Sequence, residues 1–218
     1  MINLIKKGII KNQFLLQIIL LLFCFMSNIK SLKIDTNKLN EVLLTQHNKY
    51  RKMHGVENLT LDNELIKLAQ DYSAVLAYKD YVYAINPSGN KNKNKEIVGE
   101  NIFTCTSILK ERCYVESSTK PVDDWYNEIA FYNYDDPGFT LNTAHFTQVI
   151  WKATTKMGCG ASVKTDGVTF KVVCNYYVAG NIVNANQYSE NVLPLAEESH
   201  NNYLSLNYIF IFLLLSLY

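Results

Sequence analysis

The segment from His145 to Trp151, which reads HFTQVIW, limits the fold of this 218-residue chain more than any other feature. Thr143 stands where it can cap a short helix that carries His145 near its start. Two strand-like runs follow, 157–163 and 168–178, with a Thr-Asp-Gly turn between them, and the second is rich in β-branched and aromatic residues. Such runs on either side of a turn are typical of paired strands. The sequence therefore predicts a helix followed directly by two strands of a sheet.

Three further helices are predicted upstream. The first ends near His54-Gly55, the second begins near Asp62, and Pro121 suits the first turn of the third. Each has one face formed by residues three or four apart: Leu39, Val42, Leu43 and Tyr50 in the first, Leu65, Leu68, Ala69, Tyr72 and Leu76 in the second, and Trp125, Glu128 and Tyr132 in the third. Helices that come first and strands that pair late imply a mixed sheet covered by helices.

Four short blocks stand in order along the chain: Gly99-Glu100-Asn101, Trp125–Glu128, His145–Trp151, and Cys174-Asn175-Tyr176 followed by Gly180-Asn181. In these blocks the chain resembles the CAP superfamily (SCP domain) of cysteine-rich secretory, antigen 5 and pathogenesis-related proteins, in particular their venom-allergen-like type. The resemblance spans residues 33–186. It implies an α+β fold, a three-layer α-β-α sandwich with a central mixed, mainly antiparallel sheet.

Residues 1–27 have the layout of a secretory signal peptide. Lys6, Lys7 and Lys11 precede an apolar run from Phe14 to Met26, and polar Ser27 follows. The run is too short to span a bilayer comfortably as a mature helix. Cleavage near Ser27 would remove three lysines and no acid, which takes the formal charge from +1 to −2. The mature protein then has no basic field for binding nucleic acid.

Four cysteines remain after such a cleavage, since Cys24 would leave with the signal peptide: Cys105, Cys113, Cys159 and Cys174. An even number of cysteines in an oxidising compartment predicts two disulfides, with three possible connectivities. The resemblance to CAP proteins implies that Cys159 pairs with Cys174 across adjacent strands. Cys105 and Cys113 are then left for each other.

The chain ends in a second apolar run, Tyr203 to Tyr218, which follows a polar spacer at 187–202. The run is shorter than the roughly 20 residues of a membrane-spanning helix and has no basic flank. A signal for a lipid anchor is the favoured interpretation, and an embedded tail and a fully secreted form stay open. The protein is accordingly expected outside the cell, secreted or tethered to the outer face of the plasma membrane. Asn58-Leu59-Thr60 is an acceptor sequence for N-glycosylation.

The resemblance also places Glu100, Glu128 and His145 in a central cleft. CAP proteins hold two histidines and two glutamates there, and the two histidines can bind a divalent metal such as zinc. This chain lacks the first histidine and has Asn86-Pro87-Ser88 in that region. Because zinc prefers nitrogen and sulfur ligands, one imidazole with two carboxylates makes a poor zinc site. We therefore expect no cofactor, and His145 is the candidate ligand should zinc or another divalent cation bind.

Two functions from different classes follow. The first is a non-enzymatic secreted or surface-tethered protein that binds a sterol or fatty acid, as the resemblance implies, or an extracellular protein partner. The second is an acid-base or metal-assisted hydrolase that uses the three cleft residues. The missing histidine and the absence of the common hydrolase signatures from the sequence favour binding. His47, Asn48 and Arg51 match another CAP block and are expected to hydrogen-bond a helix to the sheet.

Overall fold

The computed structural model of the chain describes residues 34–78, 91–107, 113, 117–184 and 186–196. The signal peptide predicted at 1–27, the apolar tail predicted at 203–218 and the segment Asn86-Pro87-Ser88 lie outside these residues. Among the described residues, no helix combines the length and the hydropathy that crossing a membrane requires.

The four predicted helices and the two late strands follow one another in the predicted order. In chain order the elements are α1 (Thr36–Met53), β1 (Thr60–Leu61), α2 (Asn63–Tyr78), β2 (Gly99–Thr106), α3 (Lys120–Asn127), α4 (Ala144–Ile150), β3 (Lys156–Val163), β4 (Thr169–Tyr177) and α5 (Gln187–Asn191). The sequence did not predict β1, β2 and α5. A short 3₁₀ helix, Glu128–Phe131, continues α3. The third predicted helix is therefore shorter than expected, since its α-helical part ends at Asn127 and Tyr132 lies beyond it. Pro121 occupies the first turn of α3, as predicted.

The four strands form one mixed sheet in the order β1-β3-β4-β2. β1 runs parallel to β3, whereas β3 with β4 and β4 with β2 are antiparallel. Cys159 and Cys174 lie opposite each other in the β3–β4 register and form one disulfide. The second disulfide joins Cys105, near the end of β2, to Cys113. Both pairs agree with the pairing that the resemblance implied.

Helix α2 packs against one face of the sheet at very short range. Gly158 and Gly160 are two residues apart in β3 and therefore lie on the same face of the sheet. A Cβ at Gly158 would lie 2.2 Å from the backbone nitrogen of Ile66, and a Cβ at Gly160 would lie 2.2 Å from that of Gln70. The two glycines therefore allow the backbone of α2 to rest directly on β3.

The opposite face of the sheet is covered by α1, α3 and α4, which enclose the main core. Its large buried side chains come from all three helices and from the strands: Leu39, Leu43, Trp125, Phe146, Ile150, Met157, Val172 and Tyr176. The sheet thus lies between two helical layers, which confirms the predicted α-β-α sandwich.

Buried polar side chains of α1 hold this layer together. Arg51 is fully buried and donates to four carbonyl oxygens: those of Glu57 at 2.8 Å, Val149 at 3.2 Å, Trp151 at 2.8 Å and Thr154 at 2.9 Å. Burial lowers the pKa of Arg51 to about 10, so the guanidinium stays charged at neutral pH. Asn48 accepts from the backbone N–H of Leu59 at 2.7 Å and donates to its carbonyl at 3.1 Å. These contacts agree with the structural role expected for this block.

The chain continues to pack on the domain beyond the predicted boundary at residue 186. Tyr188 and Val192 are buried, although the sequence assigns 187–202 to a polar spacer. Asn191 accepts from the backbone N–H of Ala153 at 2.9 Å through its side chain. The carbonyl oxygen of Leu193 lies 2.6 Å from Nδ1 of His54. The folded domain therefore extends to at least residue 196, because Tyr188 and Val192 anchor this segment in the core.

Candidate functional site

Glu128 and His145, two of the predicted cleft residues, meet at the start of α4. Glu128 Oε1 lies 2.7 Å from His145 Nδ1. The other carboxylate oxygen accepts from the backbone N–H of His145 at 2.9 Å and from that of Phe146 at 3.1 Å. One carboxylate thus holds an imidazole and also binds two of the N–H groups that a helix leaves without a partner at its start.

The cap of α4 differs from the prediction. Thr143 precedes the helix, but its side chain makes no bond to the helix backbone. Its hydroxyl lies 2.7 Å from the hydroxyl of Thr140 instead. Glu128, which is 17 residues away from His145 in sequence, supplies the missing acceptor. A carboxylate is the stronger acceptor at the positive end of the helix dipole, so Glu128 takes the place of the threonine.

Three neighbours fix the position of His145. Its ring stacks on Trp125 with a centroid distance of 6.2 Å and an interplanar angle of 16°. Its carbonyl oxygen accepts from Asn101 Nδ2 at 3.1 Å. The carboxylate of Glu128 at Nδ1 favours the tautomer that carries its proton there, which leaves a lone pair on Nε2. The side chain of His145 is 36 % exposed, so part of the ring reaches the protein surface.

Glu100, the third predicted cleft residue, lies on the neighbouring strand β2. Its Oε2 is 3.3 Å from Nδ2 of Asn175, the residue opposite it in β4. Asn101 follows directly and points toward His145, so the alternation of a strand directs the side chain of Glu100 to the other face of the sheet. Glu128 and His145 thus form a contacting pair, whereas the hydrogen bond of Glu100 described here is to Asn175.

The donor set at this site does not fit a zinc ion. Among the residues that the structure describes, no group of three or more His, Cys, Asp or Glu side chains is placed to share a metal. A protein zinc site normally uses three or four ligands arranged around the ion. His145 supplies one nitrogen, and the carboxylate of Glu128 already takes part in three hydrogen bonds.

Gln148 is a residue that the sequence analysis missed. Its Oε1 accepts from the backbone N–H of Gly180 at 2.8 Å, and its Nε2 donates to the hydroxyl of Thr154 at 3.2 Å. A Cβ at Gly99 or at Gly180 would collide with this side chain. Gln148 therefore holds the start of β2 and the loop after β4 against α4. The sequence signal that could have revealed this contact was the presence of Gly99 and Gly180 in the blocks that carry the resemblance.

Five exposed apolar side chains belong to the two segments that contact the start of α4, and we refer to them as the apolar rim: Phe131, Phe139, Leu141, Ile182 and Val183. Phe131 precedes Tyr132, whose ring lies 5.6 Å from that of Phe146 in α4. Asn181 holds the other side of the rim, because its Nδ2 donates to the carbonyl of Ala144 at 2.8 Å. Half of the ten large apolar side chains exposed among the described residues are thus in this one region.

His47 lies outside this site, in the buried layer between α1 and the sheet. Nδ1 is 2.7 Å from the carbonyl oxygen of Leu43, and Nε2 is 2.8 Å from the hydroxyl of Tyr176. Because the carbonyl can only accept, Nδ1 carries the proton and the tyrosine donates to Nε2. Burial lowers the pKa of His47 to about 4.

This shift predicts a loss of stability in mild acid. The unfolded chain takes up a proton at His47 below the ordinary pKa of 6.5, whereas the folded chain does so only near 4. The free energy of unfolding should therefore fall as the pH drops through this range, by about 3 kcal/mol from this group. Urea unfolding from pH 7.5 to 4.5 measures the effect, and His47→Gln should show a shallower dependence on pH. If the free energy of unfolding of His47→Gln depended on pH as steeply as that of the unaltered protein, groups other than His47 would be the cause.

Comparison with known proteins places the chain in a family. Residues 44–176 match the family model described as CAP, the cysteine-rich secretory protein family. The human Golgi-associated plant pathogenesis-related protein 1 is 41 % identical over 155 residues, which cover 71 % of this chain and 92 % of that protein. Protein PRY2 of Saccharomyces cerevisiae is 33 % identical over 157 residues, 71 % of this chain but only 41 % of its own length.

A solved structure shows the same fold. The structure of BmVAL-1 superposes with a TM-score of 0.55 at 21 % identity, over 75 % of this chain and 85 % of that one. The sequence blocks, the disulfides and the sandwich agree with these matches. The chain belongs to the CAP family of cysteine-rich secretory proteins.

Proposed function

We propose that this CAP protein is a non-enzymatic extracellular binding protein, and that it takes up a sterol or fatty acid at the apolar rim. The observation that carries the proposal is the concentration of exposed apolar side chains around the start of α4. Large apolar side chains that are exposed together in one region of a domain often mark a binding site. His145 adds a polar group beside this surface, since Nε2 can accept a hydrogen bond from a lipid hydroxyl.

Removal of one rim side chain should weaken lipid binding. Burial of a phenylalanine side chain contributes about 1.5 to 3 kcal/mol. Phe139→Ser should therefore raise the dissociation constant for a fluorescent sterol or fatty acid by about tenfold or more. The matched control is Val75→Ser, because Val75 on α2 is 43 % exposed and Phe139 is 46 % exposed. Equal affinities of both variants and of the unaltered protein would refute the rim as the lipid site.

The proposal includes a location. CAP proteins are generally secreted, and we propose that this one is extracellular and tethered to the outer membrane face through a lipid anchor or its C-terminal tail. An extracellular protein partner remains a second ligand class for the same surface. No cofactor is part of the proposal, since the donor set around His145 does not fit zinc.

The contact between Glu128 and His145 supports a second candidate function. A carboxylate that fixes one imidazole nitrogen and leaves the other open is an arrangement that general bases use. The second proposal is therefore that the chain is an acid-base hydrolase. The two functions differ in what a change at Glu128 should do.

Under the binding proposal, we expect Glu128→Gln to lower the free energy of unfolding and to abolish no hydrolytic activity. The neutral amide is a weaker acceptor for the N–H groups of α4, and the loss should be about 1 to 3 kcal/mol in urea unfolding. Glu41→Gln, on the exposed side of α1, serves as the control and should change little. A turnover of peptides or esters by the unaltered protein, lost in a Glu128→Gln variant of unchanged melting temperature, would support the hydrolase.

A further inference from the structure

We infer that the apolar rim of the tethered protein lies against a neutral phospholipid bilayer, so that the membrane surface itself is a partner of this site. The inference deepens the proposed function and rests on its C-terminal tether. It starts from the place where the chain leaves the folded domain and from the side chains found there.

The described chain leaves the domain beside the end of α1. The backbone N–H of Ala196 donates to the carbonyl of Met53 at 2.9 Å. Three residues earlier, the carbonyl of Leu193 is held by His54 at 2.6 Å. The apolar run begins at Tyr203, so six residues, 197–202, separate it from this point. Six residues span about 20 Å at most. A tether at Tyr203, or a lipid anchor attached before it, would therefore keep this end of the domain close to the membrane.

The start of α4 lies near this point. The ring of His54 is 5.9 Å from that of Phe146, which is in turn 5.6 Å from the ring of Tyr132, the neighbour of Phe131. On the other side of the rim, the hydroxyl of Tyr188 in α5 donates to Asn181 at 3.4 Å. Two ring contacts therefore connect His54 with Tyr132, the neighbour of Phe131, and α5 contacts Asn181, the neighbour of Ile182.

The chemistry of the rim fits a neutral bilayer rather than an anionic one. The charged side chains between Phe131 and Leu141 are Asp135 and Asp136, both exposed and both acidic. Anionic lipid would be repelled by these two carboxylates, whereas phosphatidylcholine would not. Exposed phenylalanine and leucine side chains can enter the interfacial region of a bilayer without a basic surface. Phosphatidylcholine is accordingly the lipid we assign to this contact.

Tryptophan reporters in the full chain test the inference. Phe131→Trp and Phe139→Trp place a reporter at the rim, and Tyr78→Trp is the control at an 85 % exposed position at the end of α2. Both native tryptophans, Trp125 and Trp151, are buried and contribute a constant emission. The full chain, purified from a eukaryotic host with its anchor or tail, is reconstituted into phosphatidylcholine vesicles with and without brominated acyl chains.

We expect blue-shifted emission and loss of emission on brominated vesicles at both rim positions, and neither change at Tyr78→Trp. Protein that sediments with the vesicles but gives the same emission at all three positions overturns the bilayer contact and leaves the tether intact. The rim would then serve a soluble lipid or a protein partner. Protein that stays in the supernatant refutes the tether and the bilayer contact together, while lipid binding by the rim is judged separately by Phe139→Ser.

Discussion

Gly160→Ala should prevent the chain from reaching a stable native state. The added methyl group would lie 2.2 Å from the backbone nitrogen of Gln70 and 2.3 Å from its Cα. A backbone cannot move aside as a flexible side chain can, so α2 would have to lift off β3. We expect a loss of about 3 kcal/mol or more, at or above the upper end of the overpacking range.

Urea unfolding and the yield of secreted protein measure this effect. Gly138→Ala is the matched control, because a Cβ at Gly138 meets nothing within 4 Å. It should fold and unfold like the unaltered protein. A Gly160→Ala variant with unchanged stability would show that α2 is not in direct backbone contact with β3.

Arg51→Met should have an effect of similar size by a different route. Methionine fills much of the volume of arginine but donates no hydrogen bond, so four carbonyl groups would lose a buried donor. The carbonyl of Trp151 keeps the backbone N–H of Thr154 as a donor, and Glu57 is exposed, so the cost falls mainly on the carbonyls of Val149 and Thr154. Each unsatisfied buried carbonyl costs about 1 to 3 kcal/mol, and a total loss of about 2 kcal/mol or more is expected.

Lys52→Met is the control. It removes a positive charge from an exposed position of the same helix without removing a buried hydrogen bond. It should leave the unfolding midpoint nearly unchanged. Equal midpoints for both variants would argue that water or shifted backbone groups satisfy the four carbonyls as well as the guanidinium does.

The type and order of the main elements could be predicted from sequence because each has a local signal. The apolar spacing of α1 and α2 follows the helical repeat, and the turn at 165–167 separates two strand-like runs. The close contact of α2 with β3 has no such signal. Gly158 and Gly160 fit a strand whether or not a helix rests on them, and only the assembled layers show why a side chain is excluded there.

The site was predictable in its residues but not in its arrangement. Glu128 and His145 were named together, yet the sequence favoured Thr143 as the cap of α4 by residue type and position. Capping by Glu128 depends on a contact between distant parts of the chain, which local preferences cannot predict. Tyr188 and Val192 were likewise assigned to a spacer, because the spacer was identified by the polar run at 197–202, which does not extend to these two buried side chains.

The contacts of α1 also have a consequence for biosynthesis. Arg51 obtains three of its four acceptors from residues 149–154, and His54 obtains one from Leu193. A ribosome delivers these partners about 100 and 140 residues after α1, at roughly 5 to 20 residues per second. For several seconds the nascent helix carries a guanidinium that it cannot yet bury. Folding should therefore be completed late in synthesis or after release, and a truncated chain that ends before Leu193 should depend on chaperones.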